Sequence, residues 1–95
     1  MKRKVSATRI SELLGISQAR GMEAVIKAEL ISAVLKVSEK EKLTHVELAK
    51  RSGLPRSAVT GILSGSLQKI TIDRVLRLVE AVGLVAEVRT HKRTA

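Results

Sequence analysis

The sequence predicts an all-α fold, a small helical bundle closed by one short β-strand. Three observations carry that expectation. Apolar residues recur at three- and four-residue spacings over most of the chain, the period of a helix half-buried against a core. Start and stop signals punctuate these runs: Thr44 and Thr71 precede two of them, and Gly15, Gly53 and Gly83 follow three. Only residues 84–90 change to a period of two with many β-branched side chains, the pattern of a strand.

The elements follow in order. Lys2, Arg3 and Lys4 form a basic tail ahead of Thr8 to Leu14, one or two helical turns that Gly15 ends in the left-handed conformation. Gln18 to Gly21 reads as a linker, which makes residues 1–21 a tail with a short leader helix. A long helix is then expected from about Met22 to Glu41, with Val25, Ala28, Ile31, Ser32 and Leu35 on one stripe and Leu30, Val34 and Val37 widening it. So wide a face exceeds what one core requires and suits contact with a second protein.

Thr44 opens the next helix with a capping box. Its hydroxyl accepts from the Glu47 amide while the Glu47 carboxylate reaches back to the Thr44 amide, and Leu43 and Leu48 take the positions of a hydrophobic staple. Gly53 stops this helix. Pro55 suits the first turn of a new one, expected over about 55–63, because its missing amide hydrogen costs nothing there and its φ is already helical. Ser64, Gly65 and Ser66 form a loop. Thr71 caps a last helix in which Ile72, Val75, Leu76, Val79 and Val82 recur, and Gly83 ends it. Residues 22–83 are thus the expected domain, 84–90 a strand and 91–95 a basic tail. In the strand, Leu84, Ala86 and Val88 alternate with Val85, Glu87 and Arg89. No other segment reads as a strand, so the simplest partner is the same strand of a second copy, in a symmetric antiparallel ribbon across a homodimer.

Composition narrows the function. Ninety-five residues suit one domain with a modest core that gains from a partner subunit. Eighteen Lys and Arg against nine Asp and Glu give a formal charge of +9, with clusters at Lys2 to Arg9, at Lys50, Arg51, Arg56 and Lys69, and at Arg89 to Arg93. Such a balance favours a polyanionic partner, nucleic acid being the commonest. With no cysteine and two distant histidines, neither disulfide nor zinc centre is expected, and no metal or cofactor is called for. A reducing cytoplasm fits. Val5 to Gly15 is broken by Ser, Thr, Arg and Glu, so neither a signal peptide nor a membrane segment is expected. The absence of Phe, Tyr and Trp argues against base-stacking modes of single-strand binding and leaves double-stranded DNA. His45 and Glu47 stand two apart on a helix, facing different ways, and no phosphate loop or carboxylate pair is present, so an enzyme is not expected.

Two short helices joined by a glycine-containing turn are the physical content of a helix-turn-helix. Ala49 is small where the two helices must cross, Gly53 lies four residues on, and Leu48, Leu54, Val59 and Ile62 are expected to point into a shared core. Through "LTHVELAKRSGLPRSAVTGILSG" and the following "DRVLRLVEAVG", residues Leu43 to Leu84 resemble the XRE family, which includes Cro and the lambda-type repressors. More broadly, residues 10–90 are similar to a compact XRE branch containing antitoxins of toxin–antitoxin pairs, in which a leader like "SELLGIS" and a closing segment like "LVAEVRT" flank the motif.

The resemblance implies a lambda-repressor-like helical bundle acting on double-stranded DNA as a sequence-specific, nucleoid-associated regulator, the autorepressing antitoxin of a toxin partner. A nonspecific architectural protein or a stand-alone repressor is the alternative. A homodimer implies an operator with inverted half-sites. Position by position, Arg56, Ser57, Thr60 and Ser64 would read bases, with Arg56 able to take guanine O6 and N7 together. Thr44, His45, Ser66 and Lys69 would meet the sugar-phosphate backbone. Three departures stand out. His45 replaces a frequent Gln, Ser52 replaces an apolar residue and is expected to loosen the turn, and Pro55 and Gly61 bring no donors to the second helix.

Overall fold

Among the described residues five α-helices follow one another: α1 (Ala7–Leu14), α2 (Gln18–Glu41), α3 (His45–Ser52), α4 (Arg56–Ser64) and α5 (Ile72–Ala81). They come from a computed structural model that describes residues 7–64 and 69–93. The local signals act as the side chains require. Gly15, Gly53 and Gly83 take φ of 64°, 75° and 80°, where only glycine sits without penalty. Thr44 and Thr71 cap α3 and α5 by accepting from the Glu47 and Arg74 amides, and both halves of the Thr44–Glu47 box are formed. Pro55 stands just outside α4, its carbonyl accepting from the Ala58 and Val59 amides at 3.0 and 3.1 Å.

The long helix starts earlier than its apolar pattern suggests. Ser17 caps it by accepting from the Arg20 amide, so Gln18 to Gly21 is the first turn of α2 rather than a linker. Its inward face also differs. The buried residues are Gly21, Lys27, Ile31, Val34 and Ser38, while Ala28 and Leu35 face outward and Leu30 and Val37 flank the core. The C-terminal end is an unforeseen left-handed residue, Lys42 at φ 55°, whose amide donates to carbonyls of the last turn.

The core gathers Val34, Leu48, Val59, Val75 and Leu78, all fully buried, with Ile31, Leu54, Ile62, Ile70, Val79 and Val82 around them. The C-terminal half of α2 thus shares one interior with α3, α4 and α5. Leu43 packs against the same cluster as Leu48, as a staple should. In α5 the expected Leu76 lies 41% exposed, and Leu78 takes the core position instead.

The N-terminal half of α2 is covered by α1. The seam is polar and close. Ser11 is buried and its hydroxyl lies 2.7 Å from the Ala7 carbonyl and 3.2 Å from that of Ser17. A Cβ on Gly21 would fall 2.1 Å from the Ser11 Oγ and 2.6 Å from the Ala7 carbonyl, so α1 rests on bare backbone there. Nearly two turns further, Lys27 is 3% exposed with its Nζ 2.9 Å from Glu23. The molecule measures 45 × 25 × 21 Å.

The strand expected over 84–90 is not formed. Leu84 folds back, its amide donating to the Val79 carbonyl at 3.0 Å, and residues 85–93 follow without regular structure. A strand exists only within a ladder, and no described segment of this chain offers one. The segment nevertheless returns to the start of α2, where the Arg93 guanidinium donates to Gln18 Oε1 at 2.6 Å and the Gln18 amide reaches Thr8.

Candidate nucleic-acid interface

The two helices of the expected motif are held by a built turn. Gly53 donates to the Ala49 carbonyl at 3.0 Å, and Leu54 enters the core at once. Ser52 does not loosen this turn. Its hydroxyl accepts from the Leu54 amide at 3.2 Å and lies 3.4 Å from the Ala49 carbonyl, so it ties the last turn of α3 to the residue leading into α4. An apolar side chain at this position would leave the Leu54 amide without that partner.

Val59 and Ile62 anchor α4 in the core, and this fixes the orientation of its other side. Arg56, Ser57, Thr60 and Ser64 are all exposed, and their spacing of one, three and four residues places them on one face. The structure therefore brings the four expected base readers together. Gly61 shares their face, three residues before Ser64 and four after Ser57, and a Cβ there would meet nothing within 4 Å. Among the described residues no carboxylate pairs with Arg56, which leaves its fork of donors available. The Ser64 hydroxyl donates to the Thr60 carbonyl at 2.6 Å. Its remaining capacity toward a ligand is as an acceptor.

Of the expected backbone contacts, Thr44 and His45 stand at the start of α3, and Lys69 is exposed beyond α4. Ser66 lies outside the described residues, as does the basic segment Lys2 to Lys4. Thr44 is occupied by its cap, with its hydroxyl 3.2 Å and its amide 3.3 Å from the Glu47 carboxylate. His45 is joined to the second helix: its Nδ1 is 2.9 Å from the Thr60 Oγ1. Sequence spacing gave no sign of this contact, because fifteen residues and a turn separate the two.

Charge is divided along the chain. Residues 7–41, which form α1 and α2, carry five Lys and Arg against five Asp and Glu. Residues 42–93 carry ten against four, and the helix pair lies in this positive half. The last three of those cations, Arg89, Lys92 and Arg93, belong to the segment that returns to the start of α2, so it is the remaining seven, against three carboxylates over residues 42–84, that draw a polyanion toward α3 to α5. No group of three His, Cys, Asp or Glu able to hold a metal occurs among the described residues, and no helix among them is long and apolar enough to cross a membrane.

Comparison with known families agrees with this geometry. Residues 12–91 match a family described as a helix-turn-helix domain. The match spans both helices of the pair and most of the chain. No curated protein and no solved structure matches the chain significantly.

Proposed function

The chain belongs to this helix-turn-helix domain family, a DNA-binding class, and from that premise we propose that it is a sequence-specific regulator of transcription acting on double-stranded DNA. One observation carries the reading. α4 buries Val59 and Ile62 and offers Arg56, Ser57, Thr60 and Ser64 on its exposed side, the arrangement a recognition helix needs to enter a major groove. In this reading Arg56 takes guanine O6 and N7, the three hydroxyls read neighbouring base edges, and His45, Ser66 and Lys69 set register on phosphates, while Thr44, whose two donors are spent on Glu47, serves by starting α3.

The test is binding of the purified chain to the DNA upstream of its own gene and to a scrambled duplex at two salt concentrations. A preference of roughly a thousandfold at physiological salt is expected of a specific regulator. Equal, steeply salt-dependent binding to both duplexes would leave a nonspecific architectural protein instead.

The finer reading is an autorepressing XRE-type antitoxin working as a homodimer on inverted half-sites. Two features support it. Val85 and Val88 are 88% and 86% exposed on a segment that a second copy's segment could complete as a ladder. Leu13, Leu14, Met22 and Ile26 are exposed on the neutral α1–α2 hairpin, an apolar surface suited to a toxin. Polar substitution of those four residues should abolish capture of the neighbouring gene's product without weakening DNA binding. Unchanged capture would move the contact to another surface, and no capture by the wild-type chain would leave a stand-alone repressor.

A further inference from the structure

We propose that His45 is a positioning residue for base reading: it fixes the Thr60 hydroxyl as a hydrogen-bond acceptor toward the major groove while its own second nitrogen donates to a phosphate. The proposal rests on the DNA-binding reading above. It starts from the 2.9 Å contact between His45 Nδ1 and Thr60 Oγ1, which links the first residue of α3 to the exposed face of α4.

A neutral imidazole has one N–H and one lone pair. Among the described residues His45 Nε2 has no partner. Its neighbours are otherwise committed, since the Glu47 carboxylate is taken up by the Thr44 amide and hydroxyl. A phosphate facing Nε2 can only accept, so it selects the form protonated on Nε2. Nδ1 is then a bare lone pair, and the Thr60 O–H must point at it. What Thr60 has left for DNA is two oxygen lone pairs and no proton. The opposite tautomer would set the Nε2 lone pair against the phosphate oxygens, which is repulsive.

An acceptor in the major groove meets amino groups well and carbonyls badly. Thr60 therefore favours adenine N6 or cytosine N4 on the strand it faces, and disfavours guanine O6/N7 and thymine O4. Ser64 has the same polarity because its proton is spent on the Thr60 carbonyl. The face of α4 then has a fixed order: Arg56 donates at its N-terminal end, and two hydroxyl acceptors follow one and two turns on.

The experiment is base preference of the full chain, measured at pH 8 on a duplex library randomised over a half-site, with thermal melts as a control on folding. Thr60→Val should lower a preference for adenine or cytosine at one position by about fivefold, the size of one net hydrogen bond. His45→Ala should lose the same preference, weaken all duplexes together through the lost phosphate donor, and add nothing at that position when combined with Thr60→Val. His45→Asn, whose side-chain carbonyl oxygen can take the place of Nδ1 as the acceptor for the Thr60 hydroxyl, should restore the preference but not the phosphate contact. Additive effects, or uniform weakening by His45→Ala with the base preference intact, would overturn the proposal while leaving the regulator reading in place. A wild-type chain without preference at any position would overturn both.

Discussion

Single residues decide how closely parts of this molecule approach one another. At Gly21 an added methyl would collide with a backbone carbonyl as well as with the Ser11 hydroxyl, and a carbonyl on a helix cannot swing aside. Gly21→Ala should therefore lift α1 from α2 and lower stability by about 1–3 kcal/mol, read by denaturant unfolding. Gly61 is the opposite case. A methyl there meets open space, and glycine within a helix costs about 0.5–1 kcal/mol relative to alanine. Gly61→Ala should raise the melting temperature. If Gly61 lets the α4 backbone approach DNA, the same change will weaken binding; unchanged affinity would show that the groove keeps its distance from that turn. At Arg56, substitution by alanine should erase preference at one base pair of each half-site. Equal weakening on all sequences would make it a phosphate contact.

Among the elements, those framed by caps were legible and those framed by polar burial were not. Thr44, Glu47 and Gly53 mark α3 so fully that its start and end follow from side-chain chemistry, and Val59 and Ile62 orient α4 by their spacing alone. The long helix misleads because two of its inward positions are polar. Lys27 and Ser38 continue the line of Ile31 and Val34, with Lys27 held by Glu23 and the Ser38 hydroxyl donating to the Val34 carbonyl at 2.8 Å. Counting apolar residues therefore rotates the stripe toward Ala28 and Leu35. The early start of α2 is hidden in the same way, because Gly21 resembles a linker residue until the closeness of α1 is known. The strand at 84–90 has the right pattern but no ladder within the chain, and alternation cannot supply one. For α3 the cap carries a measurable share of stability. Thr44→Ala should cost about 1 kcal/mol, and Glu47→Ala made on that background should cost far less than on the wild type, since the box is reciprocal.

For the whole molecule, the division of charge separates two tasks that a uniformly basic chain would confuse. The helices α1 and α2 have no net charge of their own and expose Leu13, Leu14, Met22 and Ile26, whereas residues 42–84 hold four more cations than anions. Phosphates condensed on α3 to α5 would gain little from cations at the far end of the hairpin, because at physiological salt a charge acts over only about 8 Å and the long axis measures 45 Å. Salt dependence should report this division. Each phosphate contact that releases a counterion contributes about 0.9 to the slope of log affinity against log salt. Lys69→Ala should reduce that slope by close to one contact, whereas Arg20→Ala, an exposed cation in the first turn of α2, should leave it unchanged. Equal reductions by both would mean that DNA runs along the hairpin as well, and the apolar surface there would then have to share its face with the duplex. An effect confined to Lys69 would leave that surface free to hold a protein while the other half holds DNA.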